Sequence, residues 1–64
     1  MKRDDLIQII ESSGCVLLRH GSRHDIYINP KNNMKQPIPR HGEIDNILAK
    51  HILKYLGIEE KDKR

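Results

Sequence analysis

The order of periodic segments along the chain constrains the fold more than any other feature. Helix-type segments lie at both ends, and glycine, asparagine and proline divide the stretch between them into three short pieces. The first segment places Leu6, Ile9 and Ile10 on one helical face. Gly14 follows it and can supply the left-handed residue that ends a helix. The pattern therefore predicts an N-terminal amphipathic helix.

The last segment carries the longest helical pattern. Its stripe, at helical spacing throughout, comprises Ile44, Ile47, Leu48, His51, Ile52, Tyr55 and Leu56. Such a stripe predicts an amphipathic helix that packs against a sheet. Asp45 or Asn46 is the predicted N-cap, and Gly57 the predicted C-terminal stop. Since His51 lies on the apolar stripe, it is predicted to be a packed residue in or beside the core.

Three strands are predicted between the helices. A short apolar run over 15–19 and an alternating run over 24–29 form a hairpin. The third strand, over 34–38, contains Pro37 and runs into Pro39, and because proline has no amide donor it must lie at a sheet edge or end. The predicted fold class is α+β, a two-layer sandwich of the order α-β-β-β-α. Both helices cover one face of a three-stranded antiparallel sheet, and the other face stays open.

Length and composition restrict the class of protein. A chain of 64 residues forms one domain with a thin core, so a deep cofactor pocket is not expected. We expect that domain to span 1–58 and the charged tail, 59–64, to be disordered. The lone cysteine, Cys15, is typical of a reducing compartment. With no secretory leader and no apolar run of the roughly 20 residues that a membrane span needs, we expect a cytoplasmic protein without membrane contact.

Basic residues are concentrated in the middle of the chain. The net charge is +3, but from Arg19 to Arg40 five cationic residues accompany a single acid, Asp25, which gives that block +4. A local excess of this kind favours a polyanionic partner such as nucleic acid. A solvated basic surface with no partner is the alternative.

A histidine follows a glycine turn inside this basic block. In Gly21-Ser22-Arg23-His24, little should obstruct access to the His24 ring. Imidazole can accept or donate a proton near neutral pH, and RNA cleavage needs a base at the 2′-hydroxyl and an acid at the leaving 5′-oxygen. The alternative is an exposed turn histidine with no role. Asp25 is adjacent in sequence, but neighbouring strand residues point to opposite faces, so it is not expected to orient His24.

Four stretches of the chain, in this order, resemble the HicA family of toxin ribonucleases. They are Gly21-Ser22-Arg23-His24-Asp25, Asn29-Pro30, Pro37-Ile38-Pro39-Arg40-His41 and Ile52-Leu53-Lys54-Tyr55-Leu56-Gly57-Ile58. The likeness runs from Asp5 to Ile58. It implies a double-stranded RNA-binding-like fold and an mRNA interferase of a type II toxin-antitoxin pair, neutralised by a HicB antitoxin. The family's catalytic histidine ends its Gly-Ser-x-His turn, which here is His24, and many members carry a second histidine where this chain has Arg23.

Together, these observations predict a metal-independent endoribonuclease that acts on mRNA with His24 as its catalytic residue. The predicted RNA-binding residues are Arg23, Arg19, Lys35, Arg40 and Ser22. We expect a monomer when the protein is free and a hetero-oligomer with a HicB-like antitoxin that covers His24. A non-catalytic module that binds double-stranded RNA is the alternative function.

Two questions about the chemistry stay open at this point. His20 and His41 are both candidates for a second proton carrier, and catalysis by one histidine alone is a third possibility. No metal site and no cofactor are expected, because His20 and His24 straddle a turn and no cysteine or carboxylate cluster completes a ligand set.

Overall fold

Two helices and three strands make up the fold in the computed structural model, which describes residues 1–58. In chain order they are α1 (Arg3–Ser12), β1 (Val16–His20), β2 (His24–Asn29), β3 (Met34–Pro39) and α2 (Asn46–Tyr55). The predicted order is confirmed, with strand ends displaced by a single residue. The charged tail predicted to be disordered lies outside the described residues.

The three strands form one antiparallel sheet in the order β1-β2-β3. β3 is an edge strand, as Pro37 and Pro39 require, since neither has a backbone N–H to donate to a neighbouring strand. β1 is the other edge, and its register with β2 shifts between Leu17 and Arg19. The shift makes Leu18 the extra residue of a β-bulge. β2 is therefore the only strand of this sheet paired on both sides.

The core lies on one face of the sheet. β2 alternates strictly, with Asp25, Tyr27 and Asn29 buried on the helix side and Ile26 and Ile28 half-buried on the other. One cluster joins both helices to the sheet, and its buried members are Leu6, Ile10, Cys15, Tyr27, Ile38, Ile44, Ala49, Ile52, Leu53 and Leu56. Both helices thus cover the same face, which gives the predicted two-layer α+β arrangement with an open face.

α2 packs through a side that coincides only in part with the predicted stripe. Ile44, Ile52 and Leu56 of that stripe are buried, whereas Ile47, Leu48, His51 and Tyr55 are exposed. The buried positions of α2 follow the spacing i, i+3, i+4, i+7 and are Ala49, Ile52, Leu53 and Leu56. Ile47 is 70% exposed, and His51 contacts Tyr55 on the outer side in a tilted arrangement with ring centroids 5.6 Å apart. The predicted packed position of His51 is therefore wrong. Apolar residues lie on several sides of this helix. The side that carries Ala49 packs on the sheet, because the small alanine side chain allows a close approach.

Both predicted helix ends of α2 are present. The Asp45 carboxylate accepts hydrogen bonds from the backbone N–H groups of Ile47 and Leu48, which identifies Asp45 as the N-cap. Gly57 has φ +77°, a left-handed conformation that favours glycine at a helix C-terminus. No helix within residues 1–58 is long and apolar enough to cross a membrane.

A buried asparagine ties the turn after β2 to the C-terminus of α2. The Asn29 side-chain N–H donates to the Leu56 carbonyl at 2.7 Å, and Asn32 donates to the same carbonyl at 3.2 Å. The last carbonyls of a helix have no partner within it, so these amides satisfy one of them. The Asn29 oxygen also accepts from the Lys31 backbone N–H at 3.1 Å. Asn29 therefore stabilises the fold at the end of the sheet opposite His24.

Candidate active site

The strand register brings three of the predicted site residues to the open face of the sheet. Residues that pair across strands point to the same side. Arg19 pairs with Ile26 and Lys35 pairs with Ile28, and His24 is two residues from Ile26 on the same strand. His24, Arg19 and Lys35 therefore share the face that the helices leave uncovered. All three side chains are exposed.

The bulge at Leu18 determines where Arg19 lies. A regular ladder continuing from the Leu17–Tyr27 pair would place Arg19 opposite Asp25 on the helix side. Because the register shifts by one residue, Arg19 instead lies opposite Ile26 on the open side. Nothing in the sequence of β1 distinguishes a bulged strand from a regular one.

Arg19 and Lys35, the two cations placed on the open face, lie at different distances from His24. Arg19 is a diagonal cross-strand neighbour of His24, a relation that corresponds to roughly 7–8 Å. Lys35 lies opposite Ile28, four residues along β2 from His24, which corresponds to roughly 13 Å. Arg19 can therefore contact the same phosphate as His24, whereas Lys35 can contact only a more distant one.

An open groove of about 460 Å³ lies at the end of the sheet that carries His24. Its lining residues are Ser22, Arg23, His24, Arg40 and His41. One wall is the turn between β1 and β2, and the other is the segment that follows β3. The groove brings His24 together with three of the five predicted RNA-binding residues, and with one of the two histidines proposed as a second proton carrier.

Asp25 lies behind the groove, on the helix side of β2, and is the centre of a charged network. It accepts hydrogen bonds from Arg3 at 2.7 Å and from Arg40 at 2.8 and 3.0 Å, and the Nδ1 atom of His20 lies 2.8 Å from it. The hydrogen bonds from Arg40, and then from His20, lower the pKa of Asp25 from 3.8 to about 2. The side-chain hydrogen-bond partners of Asp25 are thus Arg3, Arg40 and His20, on the side of β2 opposite to His24.

Arg40 has a structural role that its predicted assignment to RNA binding did not include. Its Nε and Nη2 atoms donate to Asp25, and Nη2 also donates to the Gly21 carbonyl at 2.7 Å. Arg40 therefore ties the segment after β3 to the turn before β2, so the two walls of the groove are joined. Its side chain remains 43% exposed, which leaves part of the guanidinium available to a ligand.

Arg3 belongs to the same network, and the sequence analysis missed it. Its Nε atom donates to the Pro39 carbonyl at 2.7 Å, and its backbone N–H donates to the Gly42 carbonyl at 2.9 Å. A cation in the first turn of a helix is unfavourable beside the positive end of the helix dipole. That mismatch is the signal that could have indicated an acidic partner for Arg3, which the structure identifies as Asp25.

The four histidines occupy three different environments. His20 is 70% exposed and held at Nδ1 by Asp25, His24 and His41 line the groove, and His51 lies on the outer side of α2. Within the described part of the chain, no three His, Cys, Asp or Glu side chains come together as possible ligands of a metal ion.

Comparison with known families identifies the chain. Residues 3–58 match the family model of the HicA toxin of bacterial toxin-antitoxin systems. The chain belongs to the HicA toxin family. The match spans both helices, all three strands and every residue that lines the groove. No curated protein and no solved structure matches the chain.

The four stretches that resemble HicA proteins meet at two places in this family member. Residues 21–25 and 37–41 form the two walls of the groove. Residues 29–30 and 52–58 meet at the other end of the sheet, where Asn29 donates to Leu56. The HicA-type sequence features therefore divide into a set that surrounds His24 and a set that holds α2 on the sheet.

Proposed function

We propose that this toxin is an endoribonuclease that cleaves mRNA, with His24 transferring a proton to or from the reacting ribose or leaving oxygen. The observation that carries the proposal is the position of His24 in a chain of the HicA family: it is exposed in a groove whose other members include Arg23 and Arg40. Guanidinium groups bind phosphate in a bidentate manner and stabilise the charge that develops on it during cleavage.

The open face supports RNA binding through the backbone. Arg19 lies beside His24, and Lys35 lies on β3 opposite Ile28, so cations continue from the groove across the sheet. Ser22 lines the groove and can donate a hydrogen bond to a phosphate oxygen. The two aromatic residues of the chain are Tyr27, which is buried, and Tyr55, which lies on α2. A stacking platform on the open face is therefore absent from residues 1–58, and we expect weak base preference.

The partner of this toxin is proposed to be a HicB-like antitoxin. A small inhibitor that covers the groove would block His24 and could place its acidic residues against the basic block. A cytoplasmic location follows from mRNA as the substrate. A purified toxin-antitoxin complex in which RNA still reaches His24 would contradict this mode of inhibition.

Product analysis separates the proposed enzyme from an RNA-binding module. We expect the purified protein to cut a transcript in the presence of a chelator, because the proposed proton transfer uses imidazole. The upstream fragments should end in a 2′,3′-cyclic phosphate or its hydrolysed 3′-phosphate, and the downstream fragments should begin with a 5′-hydroxyl. Binding of the same transcript with no new ends would instead favour the non-catalytic double-stranded RNA-binding module.

A methyl group at Gly21 is expected to disturb the position of His24. The Gly21 N–H donates to the His24 carbonyl at 2.7 Å, and a Cβ atom at Gly21 would lie 2.8 Å from that carbonyl oxygen. Because that oxygen belongs to the backbone and cannot rotate away as a flexible side chain could, the turn has to shift. We expect Gly21→Ala to lower RNA cleavage about 10–100-fold, the effect of misplacing a catalytic group by about 1 Å.

Gly42→Ala is the matched control for this prediction. Gly42 lies next to His41, yet a Cβ atom there meets no atom within 4 Å. Cleavage rates measured side by side on one transcript should show the loss only for Gly21→Ala. Equal rates for the two variants would mean that the Gly21 turn does not position His24.

A further inference from the structure

Two histidines face one groove from separate segments of the chain. We propose that His41 is the second proton-transfer residue of RNA cleavage, acting on the same phosphodiester as His24. This inference rests on the function proposed above and adds a residue to it. The sequence alone left His20, His41 and catalysis by one histidine open.

The register of β2 and β3 brings the two residues together. His24 pairs with Pro39, the last residue of β3, and His41 follows two residues later. Antiparallel partners have Cα atoms about 4.5–5.5 Å apart, and two residues extend the chain by at most about 7 Å. The Cα atoms of His24 and His41 are therefore no more than about 12.5 Å apart, and both residues line the same groove. This separation accommodates a phosphodiester between two imidazole rings.

The segment that carries His41 is held on both sides. Arg3 donates to the carbonyl of Pro39 from its side chain and to the carbonyl of Gly42 from its backbone, at 2.7 and 2.9 Å. Between these two anchors, Arg40 is bound to Asp25 and to the opposite wall of the groove. A residue on a segment fixed in this way has a defined backbone position before substrate binds, which favours efficient proton transfer.

The other histidines are placed elsewhere. His20 pairs with Asp25 in the β1–β2 register and its Nδ1 atom lies 2.8 Å from that carboxylate, on the helix side of the sheet. It does not line the groove. His51 lies on the outer side of α2, where its ring contacts that of Tyr55. Among the histidines other than His24, His41 is the one that shares its groove.

The reaction uses the two imidazoles as a complementary pair. One neutral ring takes the proton of the ribose 2′-hydroxyl while that oxygen forms a bond to phosphorus. The bond from phosphorus to the 5′-oxygen breaks, and the other ring, protonated, gives its proton to that oxygen. The products are a 2′,3′-cyclic phosphate and a 5′-hydroxyl. The charged groups around the pair are Arg23 and Arg40 in the groove, Arg19 beside His24 on the open face, and Asp25, Arg3 and His20 behind the groove.

The test compares His41→Ala and His41→Gln with His51→Ala as the control, after circular dichroism has shown that each variant is folded. We expect each His41 variant to lose about 10²–10⁴-fold in cleavage rate, the contribution of one general acid or base. The wild type should show a bell-shaped dependence of kcat/KM on pH, and the His41 variants should lose one limb of it. His51→Ala, whose ring lies outside the groove and outside the Asp25 network, should keep both limbs and most of the rate.

A modified RNA identifies the proton donor directly. Sulfur in place of the 5′-oxygen at the scissile bond gives a leaving group that needs no proton. The variant that lacks the general acid, His41→Ala or His24→Ala, should recover cleavage on this substrate. The variant that lacks the general base should stay slow.

Recovery in neither variant, or wild-type rate and pH profile in both His41 variants, would overturn the inference. If cleavage depends on His24 and is indifferent to His41, this inference alone fails, whereas a protein with no RNA cleavage at all refutes the proposed function.

Discussion

Replacing His24 with alanine is expected to lower RNA cleavage by about 10²–10⁴-fold and to abolish growth arrest on expression, because the variant lacks a general acid or base at the groove. The fold should survive. The side chain is exposed and lies outside the core cluster, and it is the backbone carbonyl of His24 that receives the Gly21 hydrogen bond. The measurements are the cleavage rate of a defined transcript, the growth of cells after induction, and the urea midpoint of unfolding.

His51→Ala is the control for loss of a histidine as such. That ring is also exposed but lies on the outer side of α2. We expect it to retain cleavage and toxicity within about threefold, as surface substitutions usually leave structure and site intact. If folded His24→Ala arrests growth as strongly as the wild type, the catalytic assignment of His24 is wrong.

The fold was predictable because its local signals agree with one another. The apolar spacing of α1, the left-handed glycines at 14 and 57 and the Asp45 cap mark the helices, and the prolines of β3 mark an edge strand. Packing of α2 was not predictable in the same way. Apolar residues lie on both sides of that helix, so periodicity predicted a helix without indicating which side meets the sheet.

The candidate site was predictable only in part. The Gly-Ser-x-His turn indicated His24, and the cluster of positive charge indicated which segment would face a polyanion. Whether Arg19 points to the open face depends on the bulge at Leu18, and the pairing of Arg40 with Asp25 depends on two segments that are distant in sequence. Such contacts form only when the sheet has assembled, so local sequence patterns do not predict them. The contact of Arg3 with Asp25, 22 positions away, is a further example.

Asp25→Asn is expected to weaken both the fold and the activity. The substitution keeps the size of the side chain but removes the negative charge that Arg3 and Arg40 share, and it leaves two guanidinium groups with a poorer acceptor. Arg40 then holds the two walls of the groove less firmly. We expect a lower urea midpoint at pH 7 and a cleavage rate reduced about tenfold or more, because His24 and His41 lose their fixed separation.

The pH dependence of unfolding isolates the contribution of the Asp25 charge. The folded pKa of Asp25, about 2, is below its ordinary value of 3.8, so the folded state favours the ionised carboxylate. Its contribution to stability is complete above about pH 4 and is lost as the pH falls towards 2. The wild type should therefore lose stability over this interval, and Asp25→Asn should lose less. Asp4→Asn, which removes an exposed acid from the first turn of α1, should follow the wild type. If the free energy of unfolding depends on pH in the same way for the wild type and Asp25→Asn, the charge of Asp25 does not stabilise the network. The shape of the groove would then depend on the backbone contacts of Arg3 and Gly21 instead.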